Sequence, residues 1–198
     1  MSLTLVALSG SLRRGSYNRL LVEQAARGAE NAGATVRRII LGDFKLPLYD
    51  ADAEEELGMP EGARALRELC SDTAGYLIAA PEYNGSLPAA LKNALDWLSR
   101  PLPNSNETAL SLTAFRNKVA GILSASPGNW GGVRGLAHVR QILSGMWVLV
   151  TAEQLAVPRA NEAFDAMGRL ANPASQTLAE SIGARTVMLA RALQSREQ

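Results

Sequence analysis

The 198-residue chain is predicted to fold as a single α/β domain, a doubly wound parallel sheet of five strands with helices on both faces. Two observations carry that reading. Short apolar runs alternate with longer amphipathic ones along the whole chain, and the short runs are continuously apolar rather than alternating. Continuity is what a strand buried on both faces requires. The length suits one well-cored domain over residues 1–198, and no repeat, low-complexity tract or linker divides it.

Leu3 to Leu8 is the first strand. From Ser16 onward, Leu21, Ala25, Gly28 or Ala29, and Ala32 recur at helical spacing. Val36 to Leu41 reads as the second strand, and Ala63, Leu66 and Leu69 mark the second helix. Between them, acidic Asp50 to Glu56 reads as a solvated loop, while Leu46-Pro47-Leu48-Tyr49 is apolar enough to meet another subunit. Gly75 to Ala80 is the third strand, stopped by Pro81. Leu87, Leu91, Leu95 and Leu98 stripe the third helix, which ends at Arg100-Pro101-Leu102-Pro103. Lys118 to Leu123 is the fourth strand, and Leu136, Val139, Leu143 and Met146 stripe the fourth helix. Trp147 to Val150 is the fifth strand, and Leu178, Ile182, Leu189 and Leu193 close the chain as the fifth helix.

Composition excludes several functions. Hydrophobic residues make up 47% and charged residues 20%, and the formal net charge of +1 argues against nucleic acid or a membrane surface as partner. The single cysteine, Cys70, allows no internal disulfide, and its helical spacing makes it a small core hydrophobe. The first apolar run is too short to span a bilayer and has no basic residue before it, so a cytoplasmic location is expected. One histidine, His138, and one cysteine leave no His/Cys metal cluster, and no G-x-S-x-G elbow points to a hydrolase. His138 is expected on a helix surface or at an interface.

In such sheets ligands bind beyond the carboxyl ends of the strands, and three loops fall there. The first, Ser9-Gly10-Ser11-Leu12-Arg13-Arg14-Gly15-Ser16-Tyr17-Asn18, sets hydroxyls and guanidinium groups at a helix N-terminus. Free amides and the helix dipole favour an anion there. It has neither the GK[ST] ending of a nucleoside-triphosphate loop nor G-x-G-x-x-G. A terminal monophosphate suits it, and so does an ordinary strand-to-helix loop with Ser16 as N-cap. The second, Pro81-Glu82-Tyr83-Asn84-Gly85-Ser86-Leu87-Pro88, offers a planar aromatic and main-chain donors to an isoalloxazine edge, or is a plain turn; Trp97 beyond it is core. The third, Ser124-Ala125-Ser126-Pro127-Gly128-Asn129-Trp130-Gly131-Gly132, allows close backbone approach to a ligand, or simple flexibility. Their coincidence at one end of the sheet is stronger than any one loop.

The motifs Gly10-Ser11-Leu12-Arg13-x-x-Ser16-x-Asn18, Pro81-Glu82-Tyr83-Asn84-x-Ser86-x-Pro88-x-x-Leu91-Lys92-Asn93-Ala94-x-Asp96-Trp97 and Ser126-Pro127-Gly128-x-x-Gly131-Gly132 closely resemble the NAD(P)H-dependent FMN reductase family, whose members include quinone, chromate and azo-compound reductases. The resemblance covers most of the chain and is weakest at 102–117 and 157–172. It implies a flavodoxin-like sheet of order 2-1-3-4-5, non-covalently bound FMN and a homodimer or homotetramer. Carried over by motif, Ser11, Arg13, Ser16 and Asn18 serve the FMN phosphate. Pro81, Glu82, Tyr83 and Asn84 contact the ring and ribityl chain, and Ser124 lines the site. Ser9, Tyr17, Gly85, Gly128, Trp130 and Gly131 complete the cofactor-binding set.

On this reading the flavin supplies the chemistry, no side chain is a catalyst, and no metal takes part. NAD(P)H, with NADPH favoured, gives a hydride to FMN, and two electrons pass to a small acceptor by a ping-pong mechanism. That acceptor is a quinone, free flavin, azo compound or metal oxyanion. Arg13, Arg14 and Arg100 are candidates to meet a 2′-phosphate, and no spacing rule selects one. The alternative is a flavodoxin-type electron carrier without its own nicotinamide reaction. Such a carrier normally presents a strongly one-signed docking surface, which a net charge of +1 does not favour.

Overall fold

A computed structural model describes residues 3–108 and 112–195. Its five strands are β1 (Thr4–Ser9), β2 (Thr35–Ile40), β3 (Gly75–Ala79), β4 (Val119–Ala125) and β5 (Leu149–Val157). All neighbours pair in parallel, in the order β2-β1-β3-β4-β5. The helices are α1 (Tyr17–Asn31), α2 (Ala51–Leu57), α3 (Glu61–Ser71), α4 (Ala89–Leu98), α5 (Val133–Gly145) and α6 (Pro173–Gln194). This is the flavodoxin-like arrangement expected from the sequence.

Two cores flank the sheet because successive side chains of each strand point to opposite faces. On β4, Val119, Leu123 and Ala125 join the cluster beneath α1 and α6, whereas Ala120 and Ile122 join Leu66, Leu91 and Leu136 beneath α3, α4 and α5. Cys70 is fully buried, and burial pushes its thiol up to about 11, so it is a packing residue. Trp97 is buried on α4, where it packs edge-on against Tyr49 with ring centroids 5.0 Å apart.

Two elements differ from the sequence reading. The acidic stretch is not a loop but helix α2. Asp50 caps it, its Oδ1 accepting the Asp52 and Ala53 amides at 2.9 and 3.3 Å, and no residue of α2 is buried. A helix without an apolar face leaves no periodicity to read. The fifth strand begins at Leu149 rather than Trp147 and continues to Val157, through Thr151-Ala152-Glu153-Gln154. It is an edge strand whose pairing with β4 shifts register between Ala120 and Ile122, so polar residues fit it. Leu46-Pro47-Leu48-Tyr49 is docked on α4 by hydrogen bonds from Asn93 Nδ2 and Trp97 Nε1 to the Pro47 carbonyl, which leaves Leu48 82% exposed.

The polar connection that follows Arg100 is anchored from below. Arg67, 1% exposed, pairs with Glu107 at 2.9 Å and donates to the Arg100 carbonyl. Residues 109–111 of that connection lie outside the described residues. No helix of the described residues is long and apolar enough to cross a membrane.

Candidate functional site

The first loop leaves β1 at Ser9 and enters α1 at Tyr17. Each turn of its path is fixed by a hydroxyl. Ser9 Oγ accepts the Ser11 amide at 3.2 Å, Ser11 Oγ accepts the Arg13 amide at 3.3 Å, and Ser16 Oγ caps α1 through the Asn18 amide at 3.2 Å. Among the described residues, the amides of Leu12, Arg14, Gly15 and Ser16 have no hydrogen-bond partner within the chain. No acidic residue occupies the first turn of α1, so its positive end is uncompensated. The Arg13 guanidinium lies 5.3 Å from the Tyr17 ring centroid, and no described carboxylate pairs with it.

The second loop contains a tight turn. Tyr83 and Ser86 exchange main-chain hydrogen bonds at 2.9 and 3.1 Å, and Asn84 and Gly85 between them have φ of 53° and 83°. Positive φ at both central residues is a type I′ turn, which Asn-Gly favours. The turn is clamped to α5. Glu82 accepts the Arg134 and Gly135 amides at 3.0 and 3.2 Å and pairs with the Arg134 guanidinium, while Ser86 Oγ stands 2.8 Å from His138 Nδ1. Burial acts to raise the Glu82 carboxyl, but the hydrogen bonds from Arg134 and Gly135, with the guanidinium charge, hold it below the usual carboxylate value. Glu82 thus caps a helix whose own N-cap, Gly132, has no side chain.

The third loop is pressed against the end of β5. A Cβ on Gly131, where φ is 60°, would lie 2.8 Å from the Ala156 and Val157 carbonyl carbons, so glycine is required there. Ser124 is fully buried beneath Gly132, and its hydroxyl is the one buried side-chain polar atom among the described residues without a hydrogen-bond partner.

Together the loops enclose a cavity of about 280 Å³ lined by Ser11, Arg13, Ser16, Tyr17, Asn18, Pro81, Tyr83, Ala125 and Pro127. Seven of the residues singled out from sequence are thereby brought together. Ala125 and Pro127 were not in that set, although Pro127 stands within the third motif; a small residue closing a strand carries no chemical signal. Ser9, Glu82, Asn84, Gly85, Ser124, Gly128, Trp130 and Gly131 are not among the lining residues. Trp130 is 71% exposed, and the Glu82 carboxylate is turned to α5. Asn18 lines the cavity, but its amide is committed to β4: Nδ2 donates to the Ala125 carbonyl at 2.8 Å and Oδ1 accepts the Ala125 amide at 2.9 Å.

A cluster of serine hydroxyls, free amides, a helix N-terminus and an unpaired guanidinium fits a phosphate. The exposed Tyr83 ring and the rigid turn beside it fit a planar heterocycle attached to that phosphate.

Known proteins match this chain in sequence and in fold. The family described as NADPH-dependent FMN reductase matches residues 3–162. The chain is 36% identical over 175 residues to an NAD(P)H-dependent FMN reductase of Pseudomonas aeruginosa, covering 87% of each protein. It is 39% identical over 141 residues to a quinone reductase of Escherichia coli, covering 71% of this chain and 69% of that protein. Among solved structures, a flavoenzyme NAD(P)H:(acceptor) oxidoreductase from Paracoccus denitrificans superposes with a TM-score of 0.79 at 24% identity, covering 96% of this chain and 98% of the other. An archaeal flavodoxin shares the fold with a TM-score of 0.61 at 7% identity.

Proposed function

The chain belongs to the NADPH-dependent FMN reductase family, and from that premise we propose that it binds FMN non-covalently across the three loops and reduces small quinone-type acceptors with NAD(P)H. The observation that carries the proposal is the single cavity joining Ser11, Arg13 and Ser16 to Pro81 and Tyr83. When bound there, FMN supplies the redox chemistry, accepting a hydride from the nicotinamide and returning two electrons to the acceptor.

The residues of the chain hold and orient. Ser11, Ser16 and the free amides of the first loop take the phosphate, and Arg13 balances its charge. The turn Tyr83-Asn84-Gly85-Ser86 sets the plane of the ring, and the Glu82–Arg134 and Ser86–His138 contacts keep that turn from shifting. Preorganisation of this kind places a donor within reach of the ring without a catalytic side chain. A donor and an acceptor that both had to reach a ring held there would alternate. The relatives named as quinone reductases favour planar acceptors of quinone size, and the whole chain forms one FMN-binding domain.

Purified protein is expected to release FMN, identified by chromatography, on denaturation. Anaerobic addition of NADPH or NADH to the FMN-saturated protein should bleach the flavin absorbance without any added reductase. A quinone should then restore it, and steady-state rates at several quinone concentrations should give parallel double-reciprocal lines. Release of FAD instead would overturn the cofactor assignment. Absence of bleaching by either nicotinamide would mark an electron carrier.

A further inference from the structure

A second, larger cavity of about 410 Å³ lies beside the flavin crevice, with Val157, Pro158, Arg159, Glu162, Leu170 and Ser175 among its lining residues. That size is in the range of small-molecule sites. The two cavities share a wall. Arg159 N donates to the Gly128 carbonyl at 3.3 Å and Ala160 N to the Ser126 carbonyl at 3.1 Å, and Pro127, between those two acceptors, lines the first cavity.

Arg159 and Glu162 carry the opposite charges of this cavity. They are held within one turn by the Glu162 amide, which donates to the Arg159 carbonyl at 2.9 Å, yet no ion pair joins them. Among the described residues no other carboxylate meets the Arg159 guanidinium, and the Glu162 carboxylate accepts the Asn161 amide alone, at 3.2 Å. Arg159 also has φ of 45°, a left-handed backbone uncommon for residues other than glycine. An unpaired cation and an unpaired carboxylate against the apolar Val157, Pro158 and Leu170 suit a ligand with a flat apolar part, hydroxyls and an anionic group.

We propose that this cavity takes the adenosine end of the nicotinamide donor, with Arg159 meeting the 2′-phosphate of NADPH and Glu162 the ribose hydroxyls of NADH. The inference rests on the enzymatic reading above. A carboxylate suits a free 2′-hydroxyl and a guanidinium suits a 2′-phosphate, so the pair balances the two donors. The other arginine candidates are placed elsewhere. Arg100 is paired with Glu54 at 2.8 Å, Arg13 belongs to the phosphate cradle, and Arg14 lines neither cavity.

Isothermal titration of FMN-saturated protein with adenosine 2′,5′-bisphosphate and with 5′-AMP tests the site while FMN fills the first-loop cradle. The bisphosphate should bind about 10–100-fold more tightly than 5′-AMP, the worth of a charge-assisted contact. Arg159→Asn, whose side chain tolerates left-handed backbone, should abolish that difference, and Arg159→Lys should keep part of it. Glu162→Gln should tighten the bisphosphate a few-fold and shift the kcat/KM ratio toward NADPH. Circular dichroism checks that each variant is folded. Equal affinity of the wild type for both nucleotides, or unchanged bisphosphate binding in Arg159→Asn, overturns the proposal. If reduced nicotinamide still bleaches the flavin in that event, only this site fails. If it does not, the enzymatic reading fails as well.

Discussion

Arg13 in the first loop and Asn18 in the first turn of α1 line the same cavity and do different work. Asn18 uses both ends of its amide to tie the start of α1 to Ala125, so its replacement would disturb the wall of the cavity before it touched a ligand. Arg13 is braced only by the Tyr17 ring and has no described carboxylate beside it, which leaves its charge available. Arg13→Ala should therefore weaken FMN binding by about 10–150-fold, corresponding to the 1.5–3 kcal/mol of a hydrogen bond to a charged group. Riboflavin, without the phosphate, should bind the variant and the wild type nearly alike in a fluorescence titration. Equal losses for FMN and riboflavin would show that Arg13 does not read the phosphate. Sequence exposed the polar character of both residues. The commitment of Asn18 to a strand 107 residues away, and of Glu82 to a helix 52 residues away, is a tertiary fact that local chemistry does not reveal.

At the scale of elements, what the sequence made legible follows burial. β1, β3 and β4 are fully or almost fully buried and read as apolar runs, and the edge strand β2, though mostly exposed, was read to within one residue of its bounds; the edge strand β5, with its polar middle, was read only at its start. Helix α2 has no buried residue and was invisible to periodicity. The pairing of α1 with α6 was also out of reach, because it depends on a glycine of each helix meeting the backbone of the other. A Cβ on Gly183 would lie 1.9 Å from the Ala25 carbonyl oxygen, and one on Gly28 would lie 1.9 Å from that of Glu180. Backbone cannot yield as a flexible side chain can. Gly183→Ala should push the two helices apart and destabilise the protein by about 1–3 kcal/mol, the usual cost of overpacking. Urea unfolding should show it as a lower midpoint with an unchanged slope. An undiminished midpoint would mean that the helices separate at no cost.

Over the whole molecule the two ends of the sheet have opposite characters. The carboxyl end carries loops with unpaired amides and left-handed residues, which favour a ligand. Polar groups at the amino end are buried and mutually engaged. There Lys118, 5% exposed, donates to the Cys70 and Ser71 carbonyls at the last turn of α3, and Tyr76 donates to the Ala114 carbonyl. Burial lowers Lys118 from its usual 10.5 to about 8. The native protein therefore releases this proton near pH 8, while the unfolded chain keeps it to about 10.5. Across that window the unfolded state holds more protons on this group, so the Lys118 contribution to stability should rise by roughly 1.4 kcal/mol for each pH unit. Below pH 8 the full cost of burying the ammonium is present. Burial raises the Cys70 thiol from 9.0 to about 11 and the Tyr76 phenol as well, so above pH 9 the unfolded chain ionises these groups first and their contribution opposes that of Lys118. Comparison with a variant lacking only the ammonium isolates the Lys118 contribution. Urea midpoints of the wild type should climb relative to Lys118→Met over the Lys118 window, and parallel profiles for the two proteins would refute the assignment. Because this cluster lies at the end of the sheet remote from the loops, the variant should bind FMN as the wild type does wherever it is folded. A change in affinity would show that the two ends are coupled through the strands.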